Sequence, residues 1–167
     1  MGFIDSAYAL FLRIANALQS PFLLAVRLYW GWQFALTGWG KLHHLANVTQ
    51  FFTSLGIPAP ALTAYFISGL EFVGGILLIL GLGSRVIALL LSVDMIVAYL
   101  TADRDAVKMI FANPDKFYAA APYTFLFASL IVLIFGPGLF ALDTLIARRR
   151  AEKTPGTSRR QIQPSLR

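Results

Sequence analysis

The chain has 167 residues, of which 57% are apolar and only 13% are charged, and its net charge is +6. Soluble domains carry about 25% charged residues, so this composition excludes an ordinary soluble domain and predicts a one-domain membrane protein. The sequence contains no cysteine, which excludes disulfides, thiolate metal sites and Cys-x-x-Cys redox chemistry.

The first forty residues predict two helices. Apolar residues recur at helical spacing from Phe3 to Leu18, which predicts a short amphipathic helix lying on the membrane surface. Pro21 suits the first turn of a second helix, because no backbone N–H is needed there. The run from Pro21 to Gly40 is long enough to cross a bilayer, which requires about 20 residues.

Three further apolar segments predict transmembrane helices, so the expected fold is an all-α membrane bundle of four helices. The four spans are expected at about 21–40, 61–82, 86–102 and 118–139.

The connections between the spans differ in character. An amphipathic helix is expected from His44 to Leu55, on the outer surface. Residues 81–85 are too few for anything but a tight helical hairpin. The charged segment 103–117 predicts a loop, after which Pro122 marks either a kink in the fourth span or its true beginning.

Basic residues concentrate after the last span. We therefore expect residues 1–147 to form a single transmembrane domain and residues 148–167 to form a disordered basic tail. Beside a hydrophobic segment, such a tail is typical of a topology signal or of contact with anionic lipids, rather than of nucleic-acid binding. Nine basic residues fall on the side of both termini and four on the other, which predicts cytoplasmic termini in a bacterial-type inner membrane.

Three ionisable residues, Arg27, Glu71 and Asp94, lie inside the predicted spans. A charge in mid-bilayer costs at least about 2.5 kcal/mol, so such residues face protein or water and usually pair. Counting along each helix at ~1.5 Å per residue places all three within one or two turns of the same depth. We therefore expect one buried cluster. It either fixes the helix packing as an ion pair or shares a proton between its two carboxylates, as quinone chemistry requires.

Small residues share a face with two of these charged residues, which predicts that the first two spans pack closely along that face. They are Gly31, Ala35 and Gly38 beside Arg27, and Ala64, Ser68 and Gly75 beside Glu71.

Two more groups of side chains are candidates for a site. Tyr29 and Trp30 would flank a planar ring near the charged cluster, or serve only for packing. Lys41, His43 and His44 are expected to form a polar patch on the outer surface. Adjacent helical residues point about 100° apart, so the two histidines cannot ligate one haem iron, and no metal site is predicted.

Several different short motifs follow one another along the chain, with a characteristic order and spacing. They are Arg27, Gly31, Gly38-Trp39-Gly40-Lys41-Leu42, Leu55-Gly56-Ile57-Pro58, Glu71 with Gly74-Gly75, Leu80-Gly81-Leu82-Gly83-Ser84-Arg85, and Gly136-Pro137-Gly138 with Asp143. Together, over about residues 22–143, they resemble the DoxX family of small four-helix membrane proteins. Asp94 has no matching position in that pattern, so its role rests on its depth alone.

The resemblance implies a function in outline. Members of this family are similar to the small subunit of a thiosulfate:quinone oxidoreductase, and others are linked to membrane oxidoreductase complexes with soluble partners. We therefore expect a bilayer-embedded subunit associated with quinone-linked oxidoreduction, with Glu71, Asp94 and Arg27 at the proton or quinone site and no covalently bound cofactor. The alternative is a non-catalytic membrane scaffold or assembly factor, since the same fold is similar to eukaryotic proteins of assembly and cargo handling.

Overall fold

A computed structural model describes residues 2–153, and all the regular structure in that range is helical. The helices are α1 (Phe3–His43), α2 (Leu45–Ser54), α3 (Pro60–Leu80), α4 (Ser84–Thr101), α5 (Arg104–Lys108), α6 (Pro114–Ala119), α7 (Pro122–Phe135) and α8 (Leu142–Lys153). The tail predicted from residue 148 therefore begins inside α8, and its remainder, 154–167, lies outside the described residues.

Four helices form a bundle. Helix α1 packs on α3, α3 on α4, α4 on α7, and α7 returns to α1. Helices α1, α3 and α4 are long and apolar enough to cross a membrane, and α7 is a shorter apolar helix. The all-helical membrane bundle predicted from the sequence is thus confirmed. Its core is the cluster of Phe34, Leu78, Ala88, Leu91, Met95 and Val132.

The two ends of the bundle differ. We call the end that holds the 81–83 turn, residues 136–141 and α8 the hairpin end, and the end that holds α2, α5 and α6 the loop end. Helices α1 and α4 begin on the hairpin side and run toward the loop end, whereas α3 and α7 run in the opposite direction. These directions decide where long side chains reach, because Cα–Cβ bonds in a helix tilt toward its N-terminus.

Helix α1 is continuous where the sequence predicts two helices. It runs for 41 residues with Pro21 inside it, so the boundary expected at Pro21 is wrong. Proline removes one backbone hydrogen bond, and helices in apolar surroundings tolerate this loss. Every side chain from residue 4 to residue 19 is exposed. Contact of this segment with a membrane surface stays a prediction.

The other boundaries follow the sequence more closely. Helix α2 occupies the segment in which an amphipathic helix is predicted. The charged loop after α4 contains the short helices α5 and α6. Pro122 stands in the first turn of α7, so it marks the beginning of that helix rather than a kink. The helix ends at Phe135, four residues before the predicted end, where Gly136 takes a φ of 80°.

The contact between α1 and α3 depends on glycine. A Cβ added to Gly75 would lie 2.5 Å from the carbonyl oxygen of Gly31 and 2.5 Å from the backbone nitrogen of Ala35. A Cβ added to Gly38 would lie 2.7 Å from the carbonyl oxygen of Ser68. The two backbones therefore approach along the predicted small-residue face, which is confirmed as a packing face.

Asp143 holds the hairpin end together. Its two carboxylate oxygens accept hydrogen bonds from the backbone N–H groups of Gly83 and Ser84, each at 2.8 Å, where α4 begins. Its own backbone N–H donates to the carbonyl oxygen of Gly81 at 2.9 Å. Partial burial favours the neutral acid, but the bonds from Ser84 and Gly83 prevail and hold the pKa of Asp143 below its ordinary value.

Candidate functional site

A buried ion pair joins α1 to α3 inside the bundle. The Nζ atom of Lys41 donates to Oε1 of Glu71 at 2.6 Å, and the Glu71 side chain is only 2% exposed. Lys41 lies near the C-terminus of α1 and leans back into the bundle, while Glu71 on the antiparallel α3 leans toward the loop end. The two side chains therefore meet between their own levels.

Asp94 of α4 completes the site. Its carboxyl group lines the same cavity as the side chains of Lys41 and Glu71. Oε2 of Glu71 and Oδ2 of Asp94 are buried, and neither has a hydrogen-bond partner among the described residues. One ammonium and two carboxyl groups in a dry setting reach neutrality when the carboxyl groups share one proton.

Arg27 does not belong to this cluster, which corrects the expectation of an Arg27–Glu71–Asp94 group. Its guanidinium contacts the Ile79 carbonyl, two turns further along α3 than Glu71, about 12 Å at ~1.5 Å per residue. The physical reason is direction: Arg27 leans toward the N-terminus of α1, which is away from Glu71. Counting along each helix places the backbones of Arg27 and Glu71 at similar depths, but their charged groups lie at different depths.

Arg27 instead ties the hairpin end together. Its Nε donates to the Leu78 carbonyl at 2.9 Å, and its terminal nitrogens donate to the carbonyls of Ile79, Pro137 and Phe140. Leu78 and Ile79 belong to the last turn of α3, whose carbonyls have no partners within the helix and favour a cation. The Arg27 side chain is 1% exposed, so it acts as a buried structural cap.

Two adjoining cavities meet at the ion pair. The first, of 210 Å³, lies between α2, α3 and α4 and is lined by Lys41, Glu71 and Asp94. Its remaining wall is almost wholly apolar and includes Phe51, Phe52, Ile67, Met95 and Val97. The second, of 330 Å³, lies between α1, α4 and α7 and shares Lys41 and Glu71 with the first. The charged groups thus stand at the inner end of an apolar space.

Tyr29 and Trp30 lie elsewhere. Neither residue lines the two cavities at Lys41. Their rings contact each other edge to face at 5.1 Å, and the Trp30 ring packs on Phe125 at 5.2 Å. The structure therefore does not bring these two rings to the cavities beside Glu71 and Asp94.

The predicted outer patch of Lys41, His43 and His44 is divided. Lys41 turns inward to Glu71, whereas both histidines are exposed at the loop end. Nδ1 of His43 lies 2.9 Å from the Trp39 carbonyl, and Nδ1 of His44 lies 2.9 Å from the Gly40 carbonyl. Each imidazole therefore donates to its own helix, four residues back. Lys41 is thus a site residue that the sequence pattern placed on the surface. The tilt of its Cβ toward the N-terminus of α1 lets its side chain reach back into the bundle.

Comparisons with known proteins agree with this architecture. Residues 22–104 match the family DoxX, and this range contains Lys41, Glu71 and Asp94. A Bacillus subtilis (strain 168) protein named "Putative oxidoreductase CatD" is 30% identical over 123 residues, which cover 74% of this chain and 85% of that protein. No solved structure matches the chain. The chain is therefore a membrane protein that belongs to the DoxX family.

Proposed function

We propose that this protein is a multi-pass inner-membrane subunit of a quinone-linked oxidoreductase, and that the cavity at Lys41, Glu71 and Asp94 holds the quinone head group. The observation that carries the proposal is the pair of unpartnered carboxyl oxygens, one on Glu71 and one on Asp94, at the inner end of an apolar cavity. The similarity to a protein named as an oxidoreductase supports the same class of function.

The site suits a quinone in size and in chemistry. Small-molecule sites have volumes of about 300–1,000 Å³ and combine apolar walls with a few converging polar groups. The second cavity, of 330 Å³, falls in that range, and the first adjoins it. Lys41 offers N–H donors to a carbonyl oxygen, and a protonated carboxyl group offers an O–H donor. The apolar wall suits an isoprenoid tail.

The chain's own residues would handle protons. A quinone, when bound, takes up two electrons and two protons and becomes a quinol; the electrons come from a partner oxidoreductase subunit. Lys41 would orient the carbonyl oxygen by donating a hydrogen bond to it. The proton shared by Glu71 and Asp94 would pass to that oxygen, as from a general acid. Asp103 lines the second cavity and would help return protons from the loop end.

The proposal is tested by quinone reduction with the purified complex. We expect Glu71→Gln and Asp94→Asn to leave folding and partner binding intact but to abolish turnover or its pH dependence over about pH 5 to 9. Asp105→Asn is the matched control, because this residue carries an exposed carboxylate at the same end of the bundle. If both site variants gave the same pH profile of quinone reduction as the wild type, Glu71 and Asp94 would have no part in the reaction.

Orientation is part of the same proposal. The hairpin end carries Arg85 and the arginines of α8, whereas the loop end carries Arg104, Lys108 and Lys116, near Asp103, Asp105 and Asp115. Lys41 is engaged with Glu71 and contributes little to the charge of the loop end. The bias favours a cytoplasmic hairpin end.

A scaffold function is the second candidate, and one observation favours it. The segment before Pro21 extends beyond the part of α1 that packs on α3. It carries large apolar residues that are 60–80% exposed, including Ile4, Phe11 and Leu18. A partner protein could use that surface. Under this reading, Phe11→Asp would release the partner from the purified complex while Glu71→Gln would change nothing. The reverse pattern would favour the quinone-linked function.

A further inference from the structure

We infer that the cavity at Lys41 also binds a lipophilic organic monocation, such as an arylalkylammonium, whose charge lies beside Glu71 and Asp94. A quinone carbonyl needs hydrogen-bond donors, whereas an organic cation needs negatively charged groups. Binding of the cation therefore does not depend on the proposed redox function.

The carboxyl groups of Glu71 and Asp94 are buried and incompletely paired. Glu71 is 2% exposed and Asp94 is 7% exposed, and each has a buried oxygen without a hydrogen-bond partner in the cavity wall. Buried carboxyl oxygens of this kind require a cation, a proton or a donor. Lys41 satisfies only one of the four oxygens, Oε1 of Glu71.

The Lys41 side chain shows that an ammonium group fits against Glu71. Its side chain is 35% exposed, so its flexible stem has access to solvent at the loop end. A second cation can therefore take a place beside Asp94 while the Lys41 ammonium shifts toward the loop end. Two carboxylates then face two cations, so the site stays neutral once the shared proton has left.

The cavity wall selects an organic cation over a metal ion. Hard metal cations need about six oxygen ligands, and residues 2–153 contain no group of three or more His, Asp or Glu side chains arranged to hold a metal. Phe51 and Phe52 line the first cavity, and aromatic rings attract alkylated ammonium groups. Apolar residues such as Ile67 and Val97 accept the hydrocarbon part.

The charges around the site predict a pH dependence. Lys41 faces it from α1, Glu71 from α3 and Asp94 from α4, while Asp103 lines the second cavity. The lining residues of α2 and α7 carry no titratable group. A monocation that enters would displace the proton shared by the two carboxyl groups. Its affinity should therefore rise with pH, by at most tenfold per pH unit for one proton released.

The test is calorimetric titration of the full-length protein in a non-ionic detergent with benzyltrimethylammonium, which cannot lose its charge. Neopentylbenzene, a neutral molecule of the same shape, is the control. We expect the cation to bind at least about tenfold more tightly than the neutral molecule, with an affinity that rises with pH. Asp94→Asn should weaken binding of the cation by a similar factor and should remove the pH dependence.

Lys41→Met separates this inference from the proposed function. Removing the internal ammonium should strengthen binding of the cation, whereas it should weaken binding of a quinone that accepts a hydrogen bond from Lys41. Equal affinity for the cation and its neutral counterpart, or affinity in the wild type that does not change with pH, would overturn the inference; neither measurement needs a variant. Cation binding without quinone reduction would support the inference and count against the proposed function alone.

Discussion

Arg27 and Lys41 lie on the same helix and lean toward the same end of it, and this direction decides their partners. Arg27 reaches the carbonyls at the end of α3, while Lys41 reaches down to Glu71. A sequence reports which residues are charged and how deep their backbones lie. It does not report that a long side chain moves its charge by a turn or more toward the helix N-terminus.

A double-mutant cycle tests this assignment. We expect Lys41→Met and Glu71→Gln to be coupled in thermal stability by about 0.5–3 kcal/mol, because the two side chains are in contact. Arg27→Met and Glu71→Gln should add within about 0.5 kcal/mol, because distant sites are independent. The measurement is the melting temperature of each single and double variant in detergent. Coupling of Glu71 to Arg27 instead of Lys41 would contradict the geometry.

Asp143 predicts an acid dependence of stability. The pKa of Asp143 is lower in the folded protein than its ordinary value, since Ser84 and Gly83 donate to the carboxylate against the effect of burial. Its contribution is therefore complete above the ordinary pKa and is lost as pH falls through the folded pKa, below about pH 4. Asp143→Asn should cost about 0.5–2 kcal/mol at neutral pH, as for a lost helix cap.

Thermal melts of wild type and Asp143→Asn between neutral and acid pH measure this contribution. The difference between the two proteins should shrink as pH falls below about 4. Asp105→Asn serves as the control, since Asp105 is exposed and pairs with Lys108 in its own turn. A difference that stays constant with pH would show that the Asp143 carboxylate does not hold the hairpin.

At the scale of elements, the helices were largely predictable, because long apolar runs mark membrane spans and glycines mark turns and close helix contacts. The turn at 81–83 follows from glycines that adopt a positive φ, and the packing faces of α1 and α3 follow from small residues that let the two backbones approach. The continuity of α1 through Pro21 was not predictable, because a proline in an apolar segment either ends a helix or is tolerated inside it.

Gly75 and Gly69 form a matched pair on α3. A Cβ on Gly75 would lie 2.5 Å from the backbone of α1, whereas a Cβ on Gly69 meets nothing within 4 Å. We expect Gly75→Ala to destabilise the bundle by about 1–3 kcal/mol through overpacking. Gly69→Ala should be neutral or should stabilise by up to about 1 kcal/mol through helix propensity. Equal melting temperatures of the two variants would mean that α1 and α3 are not in backbone contact.

At the scale of the whole molecule, orientation is open to a direct test because the chain has no cysteine. Cysteines introduced at Leu82 and Gln50, both exposed, report on the hairpin end and the loop end respectively. With a membrane-impermeant reagent on intact cells, we expect labelling at position 50 and none at position 82. Ser84 is unsuitable because it is fully buried. Labelling at position 82 alone would reverse the proposed topology.

The candidate site was half predictable. Glu71 and Asp94 stood out because carboxyl groups are costly in an apolar span, and in the structure both line one cavity. Lys41 was assigned to the surface because it lies at the end of its span, where lysine is ordinary. Its pairing depends on the register of α1 against α3, which the contacts of Gly31 and Gly38 fix only in three dimensions.

Infrared difference spectroscopy tests most directly whether Glu71 and Asp94 share a proton that responds to quinone chemistry. At neutral pH we expect the purified protein to show the carbonyl stretch of a protonated carboxyl group, shifted in D₂O and altered when added quinone is reduced electrochemically. Asp94→Asn should remove that band. The absence of the band in the wild type, or an unchanged band in Asp94→Asn and Glu71→Gln alike, would contradict the account.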